Sequence, residues 1–188
     1  MKALIPLALL ASAAFTCQAG EIDDAIKAAQ DAYQKGDLSN AAGQFEYAAT
    51  LIRQEQGQQL TKLLPQPLDG WQAEEAQNDS TSGAIMGGGI QVSRVYRKGD
   101  DVSLELTLFK DSPMMQAMMG IFSNPGMAVM AGYKVKKVKG VNAMLKPDDM
   151  SLSLMKGTLM VQLQCDGCQE PDLLAYANLL DLDAMAKI

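Results

Sequence analysis

Two cysteines, Cys165 and Cys168, enclose an Asp-Gly pair, and they carry the sharpest local chemical signal in the chain. The Asp166-Gly167 pair favours a tight turn that brings the sulfurs together, and a helix predicted to begin near Pro171 lies close enough to favour a thiolate modestly. Three chemistries are open to such a pair: a static disulfide, a redox-active dithiol, or ligation of a soft metal. A thioredoxin-like site places its first cysteine at a helix start after a parallel strand, whereas this pair ends a predicted antiparallel strand and precedes a short loop. That placement favours the static disulfide. Two thiolates do not complete a four-ligand zinc site, and the sequence holds no second such pair.

Methionine supplies the second signal. Met114, Met115, Met118 and Met119 stand at helical spacing and are extended by Met127 and Met130. Thioethers are soft ligands for Cu(I), so this cluster together with Cys165 and Cys168 forms the pattern of a thiol- or copper-handling protein. Methionine also fills irregular gaps, and Met115, Met118, Met119 and Phe122 make the i, i+3, i+4, i+7 face of a helix packed on a sheet. Because Met114, Ala117 and Ile121 leave the other side apolar as well, an exposed flank there is a candidate surface for an apolar ligand, a partner or lipid.

Other chemistries lack their residues. Histidine is absent, with 0 in the chain, which removes Ser-His-Asp and Cys-His catalysis, imidazole metal sites and the commonest base near neutral pH. Carboxylates are plentiful but single out no acid/base pair; Glu74 and Glu75 point to opposite faces of a predicted strand. The run Gly87-Gly88-Gly89 lacks the Gly-Lys-Ser/Thr ending of a phosphate loop, so nucleotide binding is not expected. No catalytic residue, enzyme activity or cofactor is expected, although a hydrolase built on aspartate and glutamate alone stays open, as does the metal question. With 16 Lys+Arg against 22 Asp+Glu and a formal charge of -6, the surface as a whole disfavours nucleic acid.

The elements that position these residues follow a leader. Met1-Lys2, the apolar run Ala3 to Phe15 and the small residues before Gly20 read as a signal peptide over residues 1–19, too short to be a retained membrane span. Export to the periplasm or medium is therefore expected, with Cys165 and Cys168 left as a pair in an oxidising compartment. No transmembrane span is expected in the mature chain. Residues 20–64 are predicted to form a helical hairpin turning at Gly36, residues 65–70 a Pro/Gly linker, and residues 71–188 an antiparallel sheet with helices packed on it, an α+β fold. Trp71 is expected to open that domain as a buried anchor. The residues Val102, Leu104, Leu106 and Leu108 face one way with Ser103, Glu105 and Thr107 opposite, which predicts a hairpin with one buried face. Lys134, Lys136, Lys137 and Lys139 form a basic strip that suits an edge strand or an anionic partner.

Gly36, Ala41, Phe45 and Ala48 have the spacing of the small and aromatic positions of a tetratricopeptide repeat, with Ala28-Ala29 at the close-packed part of its first helix. The segment resembles one such repeat. A solenoid unit cannot bury its own face, so a single copy must dock on its own C-terminal domain, on a partner or on a second copy. The element order over residues 68–188 resembles the PsbP-like α/β sandwich group, and the combination is similar to uncharacterised exported bacterial proteins. That resemblance implies an accessory or binding protein acting on an envelope partner, and it brings no functional residue with it.

Overall fold

A computed structural model gives the backbone of residues 13–19 and the complete residues 20–79, 89–113, 115, 119, 120, 122 and 124–188. Met114 and Met118 lie outside the described residues, as do most of the predicted leader and residues 80–88, with Gly87 and Gly88 among them. The chain forms two compact units, one ending at Ile52 and the other running from Arg53 to Ile188.

In the first unit, helix α1 (Ala13–Gln34) turns at Gly36 into α2 (Leu38–Lys62). Gly36 takes a φ of 77°, which glycine adopts without a Cβ penalty, and the Asp37 carboxylate accepts the Asn40 N–H at 3.1 Å, capping α2. Alanines at 25, 29, 32, 41 and 48 are buried and Leu51 is the largest buried side chain among them. The interior is made of small residues.

The second unit begins within α2 and contains β1 (Gln72–Ala73), β2 (Gln77–Asn78), β3 (Ile90–Lys98), β4 (Val102–Lys110), α3 (Pro125–Met130), β5 (Lys134–Val138), β6 (Val141–Lys146), β7 (Ser151–Lys156), β8 (Leu159–Asp166), α4 (Glu170–Leu179) and α5 (Leu182–Lys187). The strands make one antiparallel, 8-stranded sheet in the order β1-β3-β4-β8-β7-β6-β5, with β2 also paired to β3. The α+β fold class is thus as the periodicity predicts. Registration aligns apolar side chains across the sheet: Val92, Leu108, Val161, Leu154 and Ala143 form one row, while Leu106, Leu163, Leu152 and Leu145 form the next. These rows are buried together with Leu60 and Leu64 of the α2 end and its continuation, and with Leu173, Tyr176, Leu182 and Met185 of the C-terminal helices. Trp71 is buried in the same core, its ring edge-on to Tyr176 with centroids 5.2 Å apart.

The two compact units meet at Ile52–Arg53, inside α2, and Leu60 and Leu64 pack in the sheet core. Two expectations change. The predicted strand through Glu74 and Glu75 is reduced to β1 and β2, with both glutamates between them; residues 72–79 contain no large apolar residue to bury, so only two-residue ladders form. The far face of the sheet is not simply solvated: Ser93, Thr107, Met144 and Met160 are buried on it.

Candidate functional site

Cys165 and Cys168 are joined as a disulfide with their Cα atoms 5.9 Å apart. Strand β8 delivers Cys165 opposite Leu104, on the core face, where it is buried. Gly167 then takes a φ of 74°, and its Cα side packs so tightly on the Asp101 carbonyl that no Cβ fits. Cys168 follows, partly exposed, just before the α4 N-cap Gln169, where Asp172 accepts the Gln169 N–H at 3.0 Å. The disulfide thus ties the last strand to the helix that covers the sheet.

Its surroundings decide its chemistry. A shallow groove of about 470 Å³ opens beside Cys168, bordered by Lys98, Val102, Gln169 and Asp172, so an incoming thiolate could reach that sulfur. The leaving group would then be Cys165, which sits among apolar side chains with its Sγ 3.0 Å from the Ser103 carbonyl oxygen. A carbonyl at that distance accepts from a thiol and repels a thiolate, and burial disfavours the anion further. Exchange through Cys165 is therefore unfavourable, and the geometry suits a structural staple. Among the described residues, no group of three or more His, Cys, Asp or Glu side chains is placed to hold a metal ion.

The methionine cluster divides. Met115 is buried while Met119 is exposed, and further along Met127 and Met130 are exposed on α3. Asn124 caps that helix, its Oδ1 accepting from the Gly126 and Met127 N–H groups at 3.1 and 3.3 Å, with Pro125 in the first turn. A groove of about 350 Å³ is bordered by Pro113, Met115, Met119 and Thr158. The lysine strip lies on β5, at the edge of the sheet as its composition suggests. Lys136 pairs with Glu170, while Lys134 and Lys137 are exposed.

Sequence reasoning missed two cations on the core face of the sheet. Lys110 is buried, and its Nζ donates to the Ala186 carbonyl at 3.0 Å, holding the last turn of α5. Arg94 stands opposite Leu106, and among the described residues its Nε is the one buried side-chain nitrogen or oxygen without a hydrogen-bond partner. Strand parity was the available signal: 110 continues Leu104-Leu106-Leu108, and 94 falls between Val92 and Tyr96. Beside Arg94, burial pushes the Tyr96 hydroxyl up to about 12, partly opposed by the guanidinium. That hydroxyl donates to the Pro65 carbonyl at 2.8 Å, and the Leu68 N–H donates to the Tyr176 hydroxyl at 3.3 Å, so two tyrosines pin the linker.

In the N-terminal unit, Tyr33, Leu38, Phe45, Tyr47 and Ile52 are exposed. Leu38, Phe45 and Ile52 are seven residues apart, a spacing that places them along one side of a helix over roughly 21 Å. Their exposure runs from 41% at Ile52 to 64% at Leu38, far more than side chains that close a core. Comparison of the chain with protein-family models, curated proteins and solved structures gave no match.

Proposed function

We propose that this chain is a non-catalytic, exported binding or accessory protein of the cell envelope, acting through contact surfaces and not through a reaction centre. The observation that carries the reading is the exposed stripe Leu38-Phe45-Ile52 on a hairpin whose own interior is mostly alanine. Three large apolar side chains in line, on an element too small to bury them, have the anatomy of a protein-docking face. The tetratricopeptide-like spacing of the same hairpin and the leader-like N-terminus agree with it, as does the lack of histidine. Small apolar ligands are the lesser form of the same reading, and the groove beside Met115 and Met119 is where they would bind.

The test compares wild-type protein with a variant carrying Leu38→Glu, Phe45→Glu and Ile52→Glu, each used to capture proteins from envelope extracts. One partner should be enriched by the wild type and lost, by about tenfold or more, with the folded variant. Equal recovery by both chains would refute the reading.

Thiol or copper handling through Cys165, Cys168 and the Met114, Met115, Met118 and Met119 cluster is the alternative. In its favour, Cys168 borders an open groove; against it, Cys165 is buried, and Met115 is buried where Met119 is exposed. Cu(I) titration of the reduced protein separates the two, since a surface-acting protein binds no copper tighter than about micromolar.

A further inference from the structure

We infer that the corner formed by α3 and β5 docks on an anionic lipid surface. This rests on the reading that the chain works through its surfaces, but on a different surface from the hairpin stripe. Helix α3 buries Ala128 and turns Met127, Val129 and Met130 outward, with Met130 at 90% exposure. Among the described residues of the sheet unit, these three, Met119 and Leu179 are the large apolar side chains left exposed. The helix is closed by its own capping bonds, the Tyr133 N–H donating to the Ala128 carbonyl at 2.9 Å and the Ala131 N–H to the Met127 carbonyl at 3.0 Å, just before β5 begins at Lys134.

The charge around this apolar cluster names its partner. The chain is acidic, yet no aspartate or glutamate stands between Asp111 and Asp148, while lysines occupy 134, 136, 137, 139 and 146. Lys136 and Lys146 pair with Glu170 and Asp149. Lys134 and Lys137 are exposed and carry no ion pair among the described residues. Protection of an edge strand accounts for lysines but not for the exposed methionines and valine next to them. Flexible thioethers that sink among acyl chains, flanked by ammonium groups on long apolar stems that reach phosphates, suit an anionic bilayer. All 22 aspartates and glutamates lie outside residues 112–147, so repulsion from the same bilayer falls on other parts of the chain.

The experiment is flotation of the full chain with vesicles of phosphatidylglycerol and phosphatidylcholine, alongside vesicles of phosphatidylcholine alone. Wild-type protein should float with the anionic vesicles, lose the association at high salt, and stay behind with the neutral ones. Lys134→Gln with Lys137→Gln should weaken the association by about tenfold, and Met127→Ser with Met130→Ser should weaken it comparably. Met130→Trp adds a readout independent of folding, a blue shift of emission on anionic vesicles. Absence of binding to anionic vesicles, equal binding to neutral ones, or an unshifted Met130→Trp spectrum would overturn the proposal. The Leu38, Phe45, Ile52 variant should still float; if it floats but captures no less protein than the wild type, the hairpin reading fails and this one stands.

Discussion

Gly167 takes a left-handed conformation with its Cα against the Asp101 carbonyl, so Gly167→Ala adds both backbone strain and a collision. It should destabilise the sheet unit by about 2–3 kcal/mol, read as a lower urea midpoint with unchanged slope. Reduction of the adjacent disulfide frees only a short loop in the unfolded chain, a loss of about 2 kcal/mol of stability, and its chemistry should be lopsided. In reduced native protein, iodoacetamide should alkylate Cys168 and spare Cys165, because Cys168 is partly exposed whereas Cys165 is buried against the Ser103 carbonyl. Equal labelling of both would contradict the staple. Lys110→Met keeps the buried stem but removes the donor to Ala186; about 1–2 kcal/mol should be lost, with faster amide exchange confined to α5. At this scale the sequence was legible where type and neighbours agree, as at Cys165-Asp-Gly-Cys168. It was not legible at Lys110 and Arg94, because a charged side chain is assigned to solvent by type even where strand parity turns it inward.

The strands of the sheet were readable from alternation because a sheet covered on one face writes period two into β4 and the segments after it. What alternation could not reveal is that the opposite face also buries Ser93 and Thr107, whose types resemble a solvated surface. Nor could it fix the end of the hairpin: the second half of α2 carries Leu60 and Leu64 to the sheet core, and a continuous helix gives no signal of where its allegiance changes. The linker after it is pinned by Tyr96, which yields a prediction in pH. The Tyr96 hydroxyl titrates at about 12 in the folded chain against an ordinary 10.0, so its contribution to stability is whole below pH 10 and is lost as pH rises toward 12. Alkaline unfolding followed by tyrosinate absorbance should therefore steepen across that window. Tyr96→Phe should weaken the steepening, leaving the part owed to Tyr176, whose hydroxyl burial also raises, while lowering stability near neutral pH by about 1 kcal/mol, the bond to Pro65 being gone.

Taken whole, the chain presents two unlike surfaces and a well-closed core. The hairpin unit exposes an apolar stripe on an alanine interior, and the sheet unit exposes Met127, Val129 and Met130 on α3 and Lys134 and Lys137 on the edge strand β5. The Cys165–Cys168 disulfide lies in the unit that carries the second surface. No helix among the described residues is long and apolar enough to cross a membrane. The claim on which this account stands is that the side of α2 bearing Leu38, Phe45 and Ile52 is occupied by another protein. It is tested most directly by placing a photo-crosslinking benzophenone side chain at Phe45 in living cells, and at Gly43, on the far side of the helix, where an added Cβ meets nothing within 4 Å. The account predicts one dominant crosslinked protein from position 45 and none from position 43. No adduct at 45, or the same adducts from both positions, would contradict it.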